Sequence, residues 1–147
     1  MYRAIAWMAL RHRIDPTNEA GLSHLANATN LDVCGPSGDQ ILVGQCNITA
    51  MLHSPEVEEI VSAISSYPSV RQVLVEQQRL IAGKGHIVVV GRDVGTVVLP
   101  DSNIKVFLQA SALQRAIRRH AELLRKGRPS NLEQVLEELE RRDHLDS

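Results

Sequence analysis

The stretch IVVVGRDVGTVVLPDS, residues 87–102, decides the fold that this sequence predicts. Residues 87–90 are all β-branched, a run typical of a strand that is covered on both faces of a parallel sheet. Gly91 ends the run, so Arg92 and Asp93 follow at the carboxyl end of the strand, where open parallel sheets bind ligands. The stretch therefore predicts a buried strand with a polar pair at its end.

Two interpretations of Arg92 and Asp93 are open from the residues alone. The side chains can form an internal ion pair that ends the strand, or they can bind a phosphate, a sugar or a base. Removing one half of a buried ion pair costs about 3–5 kcal/mol, so each interpretation supplies a partner for the charges. A second apolar run, residues 104–108, predicts another buried strand.

The segments around these strands carry helix signals. Tyr2–His12 is apolar almost all round, which predicts a buried helix. Arg3 in this helix needs an anion if it is buried, or else it lies in solvent. Cap residues and apolar periodicity predict further helices over residues 18–29, 55–66, from 68 onward, 111–128 and 131–143.

Between the second and third helices the sequence predicts a small antiparallel meander. Its strands are Leu31–Cys34, Gln40–Val43 and residues 45–48, separated by glycine-containing turns. The later order of helix, helix, strand, turn, strand and helix is typical of a parallel α/β sheet with crossover connections. The expected fold class is therefore α/β, with flanking helices and an added meander.

Composition limits the function classes. The 147 residues are 44% hydrophobic and 22% charged, as expected of one soluble domain with an apolar core, and the net charge of −1 predicts neither a nucleic-acid nor a membrane partner. No apolar run has the length of a membrane span or signal peptide, so a cytoplasmic location is expected. The spacing of the cysteines and nearby histidines matches no common zinc pattern, so no metal-ligating residues are predicted. The residues concerned are Cys34, Cys46, His24 and His53.

Some polar residues have ordinary interpretations from the pattern alone. Ser62 inside the third helix is a filler that bonds its own backbone, and Arg71 in the fourth is a solvated charge. The helix over residues 111–128 is the one locally positive segment, either as a solvated face or as a mobile element that closes over phosphates. Its cations, set against the single acid Glu122, are Arg115, Arg118, Arg119, Arg125, Lys126 and Arg128.

Six short motifs follow one another along the chain. They are Tyr2-Arg3-Ala4, Ser54-Pro55-Glu56-Val57, Val70-Arg71, Gln78-Arg79, the block Gly91-Arg92-Asp93-x-Gly95-Thr96-Val97-Val98, and Arg142-Asp143 with Asp146. In this order and spacing they resemble bacterial cytidylate kinase, which phosphorylates CMP and dCMP with ATP. The resemblance covers essentially the whole chain, and the meander resembles that family's extension in the monophosphate-binding region.

The resemblance implies a fold, a site and partners. The fold is a P-loop nucleoside-monophosphate-kinase-like parallel sheet, incomplete here, in a single domain over residues 1–147, with a monophosphate-binding region at about 17–66 and a lid-like region at about 111–130. The implied partners are ATP with Mg²⁺ and CMP or dCMP, in a monomer. The resemblance implies that Ser62, Arg71 and Asp93 read the cytosine edge. It implies that Arg3 and Arg92 hold the acceptor phosphate and that Arg142 and Asp146 contact the sugar. The residues that it implies for contact with the ATP phosphates are Arg118, Arg119 and Arg125. Within these sets the implied catalytic residues are Arg92, Asp93, Arg118 and Arg119.

One departure from the family pattern bears on activity. No GxxxxGK[ST] motif occurs in the 147 residues, although this loop holds the ATP phosphates in P-loop kinases. By the resemblance, that loop precedes the position of Tyr2 and further elements follow Ser147, so the chain is expected to be cut at both ends. Two hypotheses follow: a fragment of a (d)CMP kinase that is inactive as written, or a non-catalytic CMP-binding remnant or interaction module.

Overall fold

The computed structural model describes residues 1–35 and 38–145. These residues form two compact units, Met1–Asn103 and Ile104–Ser147, and each is described by itself. Within the described ranges, every helix is too short or too polar to cross a lipid bilayer.

The first unit is built mainly from four α-helices. They are α1 (Tyr2–His12), α2 (Glu19–Ala28), α3 (Pro55–Ser66) and α4 (Pro68–Ala82). Helix α1 packs on α3, and α2 packs on α4. The sequence-based prediction of these helices is confirmed, with boundaries that move by a residue or so. Their start signals are local: Ser54 accepts a hydrogen bond from the Val57 amide, and Asn18 accepts one from the Gly21 amide.

The core lies between these helices. Side chains from α1, α2, α3 and α4 form one apolar cluster with the ends of the meander. Helix α1 buries only one face in this cluster, because Leu10 on its other side is exposed. The prediction of a helix buried nearly all round is therefore wrong for that face. The fully buried side chains of largest volume are Ile5, Leu22, Ile48, Ile64, Leu74, Val57 and Val70.

The predicted antiparallel meander is present between α2 and α3. It contains β1 (Leu31–Cys34), β2 (Gln40–Val43) and β3 (Cys46–Asn47) in the order β1-β2-β3. In its register Leu31 pairs with Val43, and Val43 pairs with Cys46. The third strand is shorter than predicted because Ile48 instead turns into the core ahead of a 3₁₀ turn, Thr49–His53.

The two buried strands predicted at residues 87–90 and 104–108 are not observed. Neither segment is a strand, and apart from the half-buried Val89 their side chains are exposed, with Val90 91% and Phe107 83% accessible. A strand needs backbone hydrogen bonds to a neighbouring strand, and none within the described part of the chain pairs with either run. The structure is therefore rich in helix, with one small antiparallel sheet. The parallel sheet is not formed by these residues.

The GTVV segment that follows Asp93 adopts a conformation that the pattern did not predict. Val94–Val98 forms a short π-helical turn, called the π turn below. The Asp93 carbonyl accepts the amides of Thr96, Val97 and Val98 at 3.3, 2.8 and 3.3 Å. Single π turns are frequent at functional sites, so this conformation makes the adjacent Asp93 a candidate site residue.

The second unit contains α5 (Ala112–Arg125) and α6 (Leu132–Leu145), which pack on each other. Helix α5 begins at Ser111, whose hydroxyl accepts the amide of Gln114. Both helices were predicted from the sequence, within about three residues at each end.

One contact between helices should contribute measurably to stability. The Glu19 carboxylate accepts hydrogen bonds from the hydroxyl and amide of Ser69, at 2.7 and 3.4 Å, in the first turn of α4. We expect Glu19→Ala to lower the free energy of unfolding by about 1 kcal/mol, because this turn loses an anionic acceptor for its amide. Urea denaturation measures the change. The exposed Glu59→Ala on α3 is the control, expected within about 0.5 kcal/mol of wild type; an equal loss in both variants would contradict the capping role.

Candidate functional site

The centre of the candidate site is an ion pair between helix α4 and the loop before the π turn. Arg71 donates from Nη2 to Oδ2 of Asp93 at 2.6 Å. The two side chains are 39% and 35% exposed, so the pair is accessible to a ligand from solvent. The structure thus brings together two of the three residues to which the resemblance gives the cytosine edge.

Arg71 also contacts the end of helix α3. Its Nη1 lies 3.5 Å from the Ser65 carbonyl, one of the last carbonyls of that helix. Ser62 lies one turn earlier and is exposed, and its carbonyl accepts the hydroxyl of Ser65 at 3.0 Å. The third predicted cytosine contact is therefore one helical turn away from the residue that Arg71 touches.

Arg3 is partly buried rather than free in solvent. Its Nη1 donates to the Leu52 carbonyl at 3.0 Å and lies 3.6 Å from Oε1 of Glu58. The anion that the sequence required for a buried Arg3 is thus a carboxylate of α3. A guanidinium group carries five N–H donors, so this contact is compatible with additional binding to a phosphate.

Tyr2 lies on α1, partly buried against the core, and sequence reasoning did not select it. Burial raises the pKa of its phenol, the nearby Arg71 lowers it, and Asp93 raises it. The phenol therefore lies within electrostatic reach of both members of the ion pair and is neutral near pH 7. The only sequence signal was its place beside Arg3 in a motif.

Arg92 precedes Asp93 and is exposed. Asp93 is paired with Arg71, which lies 22 positions earlier in the chain. The adjacency of Arg92 and Asp93 in the sequence therefore does not by itself explain how the aspartate is held.

The second unit contains the cations of the predicted lid. Arg115 makes a two-pronged contact with Asp143 at 2.9 and 2.5 Å, and this hydrogen bonding raises the pKa of Arg115. Lys126 and Arg119 both contact Glu122, at 2.6 and 3.2 Å, and lower the pKa of that carboxyl. The single acid noted in the sequence thus already neutralises part of the positive charge.

The other residues assigned to nucleotide contacts in this unit are less constrained. Arg118 and Arg125 are exposed on α5. Arg142 lies in α6, but its side chain is outside the described part of the structure, and Asp146 lies outside the described residues. The roles of these residues stay predictions.

No metal centre emerges from the described residues. Within residues 1–35 and 38–145 there is no group of three or more His, Cys, Asp or Glu side chains arranged to hold an ion. The site itself offers a carboxylate acceptor and guanidinium donors, which bind ligands through hydrogen bonds and charge.

Comparison with known proteins assigns the chain to a family. A family model described as "Cytidylate kinase" matches residues 1–147. The chain belongs to the cytidylate kinase family. The resemblance inferred from the six motifs is thereby confirmed.

Three curated relatives illustrate the similarity, and all three are named cytidylate kinase. The Chloroflexus aggregans protein is 48% identical over 152 residues, covering 100% of this chain and 66% of its own length. The Carboxydothermus hydrogenoformans protein is 41% identical, covering 100% and 67%. The Desulfitobacterium hafniense protein is 43% identical, covering 99% and 63%. The chain thus spans about two thirds of the length of these relatives.

Proposed function

We propose that this chain forms the phosphate-acceptor side of a (d)CMP kinase, which transfers the γ-phosphate of ATP to CMP or dCMP. The observation that carries the proposal is the solvent-accessible ion pair of Arg71 and Asp93. Membership of the cytidylate kinase family supports the same reaction. The parallel sheet of a P-loop kinase, one kinase domain and a monomeric state are parts of this proposal for the protein at its relatives' length.

The pair has the chemistry needed to select cytosine. The cytosine amino group donates a hydrogen bond that the Asp93 carboxylate accepts, while the ring nitrogen and carbonyl accept bonds from Arg71 and Ser62. Uracil carries a carbonyl in place of the amino group, so it would set an acceptor against the carboxylate. Sites that hydrogen-bond a substrate group reject analogues that cannot form the bond, because their own polar groups are left unpaired.

The remaining site residues have roles set by charge. Arg3 and Arg92 bind the dianionic phosphate of the acceptor through their forked donors. An oxygen of this phosphate attacks the γ-phosphorus of ATP, the bond to the bridging oxygen of ADP breaks, and CDP or dCDP forms. Arg118, Arg119 and Arg125 stabilise the charge on the transferred group, and Arg142 and Asp146 contact the sugar. Such transfer depends mainly on positioning and electrostatics.

We expect Mg²⁺ to bind together with ATP, where it would neutralise the negative charge of the phosphates.

Calorimetric titration tests the acceptor site. We expect the 147-residue chain to bind CMP at least about tenfold more tightly than UMP, the value of one net hydrogen bond of about 1.4 kcal/mol. Equal binding of CMP and UMP would contradict the assignment of the site. Titration with dCMP in the same series measures the preference between ribose and deoxyribose.

A coupled ADP-release assay tests the donor side. The 147 residues contain no GxxxxGK[ST] motif, and we expect them to show no CMP-dependent ADP release. The same preparation must bind CMP, which shows that the polypeptide is folded. Turnover at ordinary kinase rates, about 1–100 per second, would show that ATP is held by other residues.

A further inference from the structure

Helix α4 contacts both ends of the loop that carries Asp93. Near the start of the helix, Arg71 bonds the Asp93 carboxylate at 2.6 Å. Near its end, Arg79 donates from Nε to the Val98 carbonyl at 2.9 Å and from Nη2 to the Val97 carbonyl at 2.8 Å. The π turn begins directly after Asp93, and its last two residues make the second contact. The family assignment explains the first contact but gives no role to the second.

The contact of Arg79 suits its chemistry. The last carbonyls of a helical turn have no partner within the turn and form its negative end. A guanidinium group is planar, permanently charged and forked, so it can bond two adjacent carbonyls at once. Arg79 therefore satisfies the two acceptors at the end of the π turn although the residue itself is largely exposed.

The π turn connects this contact directly to Asp93. The amides of Val97 and Val98 donate to the Asp93 carbonyl, and the carbonyls of the same two residues accept from Arg79. Val97 and Val98 thus link the guanidinium group of Arg79 to the backbone carbonyl of Asp93. Because the Val97 amide bonds the Asp93 carbonyl at 2.8 Å, a displacement of Val97 would also displace the backbone of Asp93 relative to Arg71.

We propose that Arg79 is a positioning residue for pyrimidine recognition: by holding the carbonyls of Val97 and Val98 it fixes the backbone of Asp93, so that the carboxylate stays opposite Arg71. The inference rests on the proposed function, since it names what orients the residue that reads the cytosine amino group. Arg79 acts through the turn and does not touch the nucleotide. Arg71, Arg79 and Val97 line one shallow groove along α4, which places the two contacts on the same face of the helix.

Hydrogen exchange without nucleotide tests the contact itself. In Arg79→Gln we expect the amides of Val97, Val98 and Leu99 to exchange about tenfold faster, because the turn loses a charge-assisted bond. Amides of α1 should keep their rates. Arg79→Lys, which keeps the charge but not the fork, should give an intermediate rate. The control Arg13→Gln removes an exposed arginine elsewhere and should change neither set of amides.

Nucleotide titration tests the role in recognition. Arg79→Gln should reduce the ratio of CMP to UMP affinity by about tenfold, with Arg79→Lys between it and wild type. If Arg79 acts through Asp93, the same substitution in an Asp93→Asn background should leave the ratio unchanged, as in a double-mutant cycle. A merely structural arginine would lower both affinities together.

The outcomes separate the two proposals. Faster exchange in Arg79→Gln with an unchanged CMP to UMP ratio would overturn the positioning role. Unchanged exchange of Val97, Val98 and Leu99 would overturn the contact, whatever the nucleotide results. A wild-type chain that binds CMP and UMP equally would instead overturn the proposed function. Circular dichroism of both Arg79 variants confirms that each is folded before these comparisons are made.

Discussion

Replacing Asp93 by asparagine is expected to lower the CMP affinity of the chain by about 30- to 100-fold without lowering its UMP affinity, because the asparagine amide can donate to the uracil carbonyl. In the proposed site the carboxylate would accept a charge-assisted hydrogen bond from the cytosine amino group, a bond worth about 1.5–3 kcal/mol, and each 1.4 kcal/mol is about tenfold in affinity. The asparagine carbonyl carries no charge, and its amide group leaves Arg71 without the anion that now orients it at 2.6 Å. Isothermal titration with both nucleotides measures the change.

The same substitution should hardly affect folding. Arg71 and Asp93 are 39% and 35% exposed, and ion pairs that solvent reaches contribute about 0–1 kcal/mol. We therefore expect the free energy of unfolding to change by less than about 1 kcal/mol. Asp101→Asn, an exposed aspartate after the π turn, makes the same change of charge and should leave CMP binding unaltered. Wild-type CMP affinity in Asp93→Asn would remove the aspartate from the site.

The elements that the sequence predicted correctly are those set by neighbouring residues. Helix α3 begins where Ser54 and Pro55 stand, because the serine hydroxyl accepts the Val57 amide within the same turn. The meander also follows from local turn residues and short β-rich runs. Such signals act over three or four positions and can be recognised in a single sequence.

The wrong predictions concern contacts between distant segments. The β-branched run at residues 87–90 indicated a buried strand, but burial of a strand requires partner strands that no local pattern supplies. Its valines are accessible in the structure, up to 91% for Val90. The sequence shows that the run is apolar, but it does not show which other segments would pack against it.

The candidate site likewise combines features that the sequence indicates with contacts that it does not. Nothing local to Arg71 distinguishes it from a solvated helix charge, and its partner lies 22 positions away. The resemblance to a family selected both residues, because it implies that they act on the same part of the nucleotide. It gave no role to Arg79, although that residue lies in one of the six motifs, because the partners of Arg79 are backbone carbonyls that a motif does not reveal.

Helix α4 offers a direct test of how this unit is packed, because it carries one buried and one exposed leucine. Leu74 is fully buried in the core, whereas Leu80 is 74% exposed. We expect Leu74→Ala to lower the free energy of unfolding by about 2–5 kcal/mol, through the lost transfer of the side chain from water and the cavity left behind. Small domains have a total stability of about 5–15 kcal/mol, so this is the largest stability effect we expect from one substitution here.

Leu80→Ala is the matched control for this prediction. It makes the same chemical change in the same helix, so the difference in helix propensity between leucine and alanine cancels in the comparison. We expect it to alter the free energy of unfolding by less than about 0.5 kcal/mol. Urea denaturation followed by circular dichroism gives both values. If Leu80→Ala were as destabilising as Leu74→Ala, the face of α4 that packs on α2 would be assigned wrongly, and the positions of Arg71 and Arg79 on that helix would have to be revised with it.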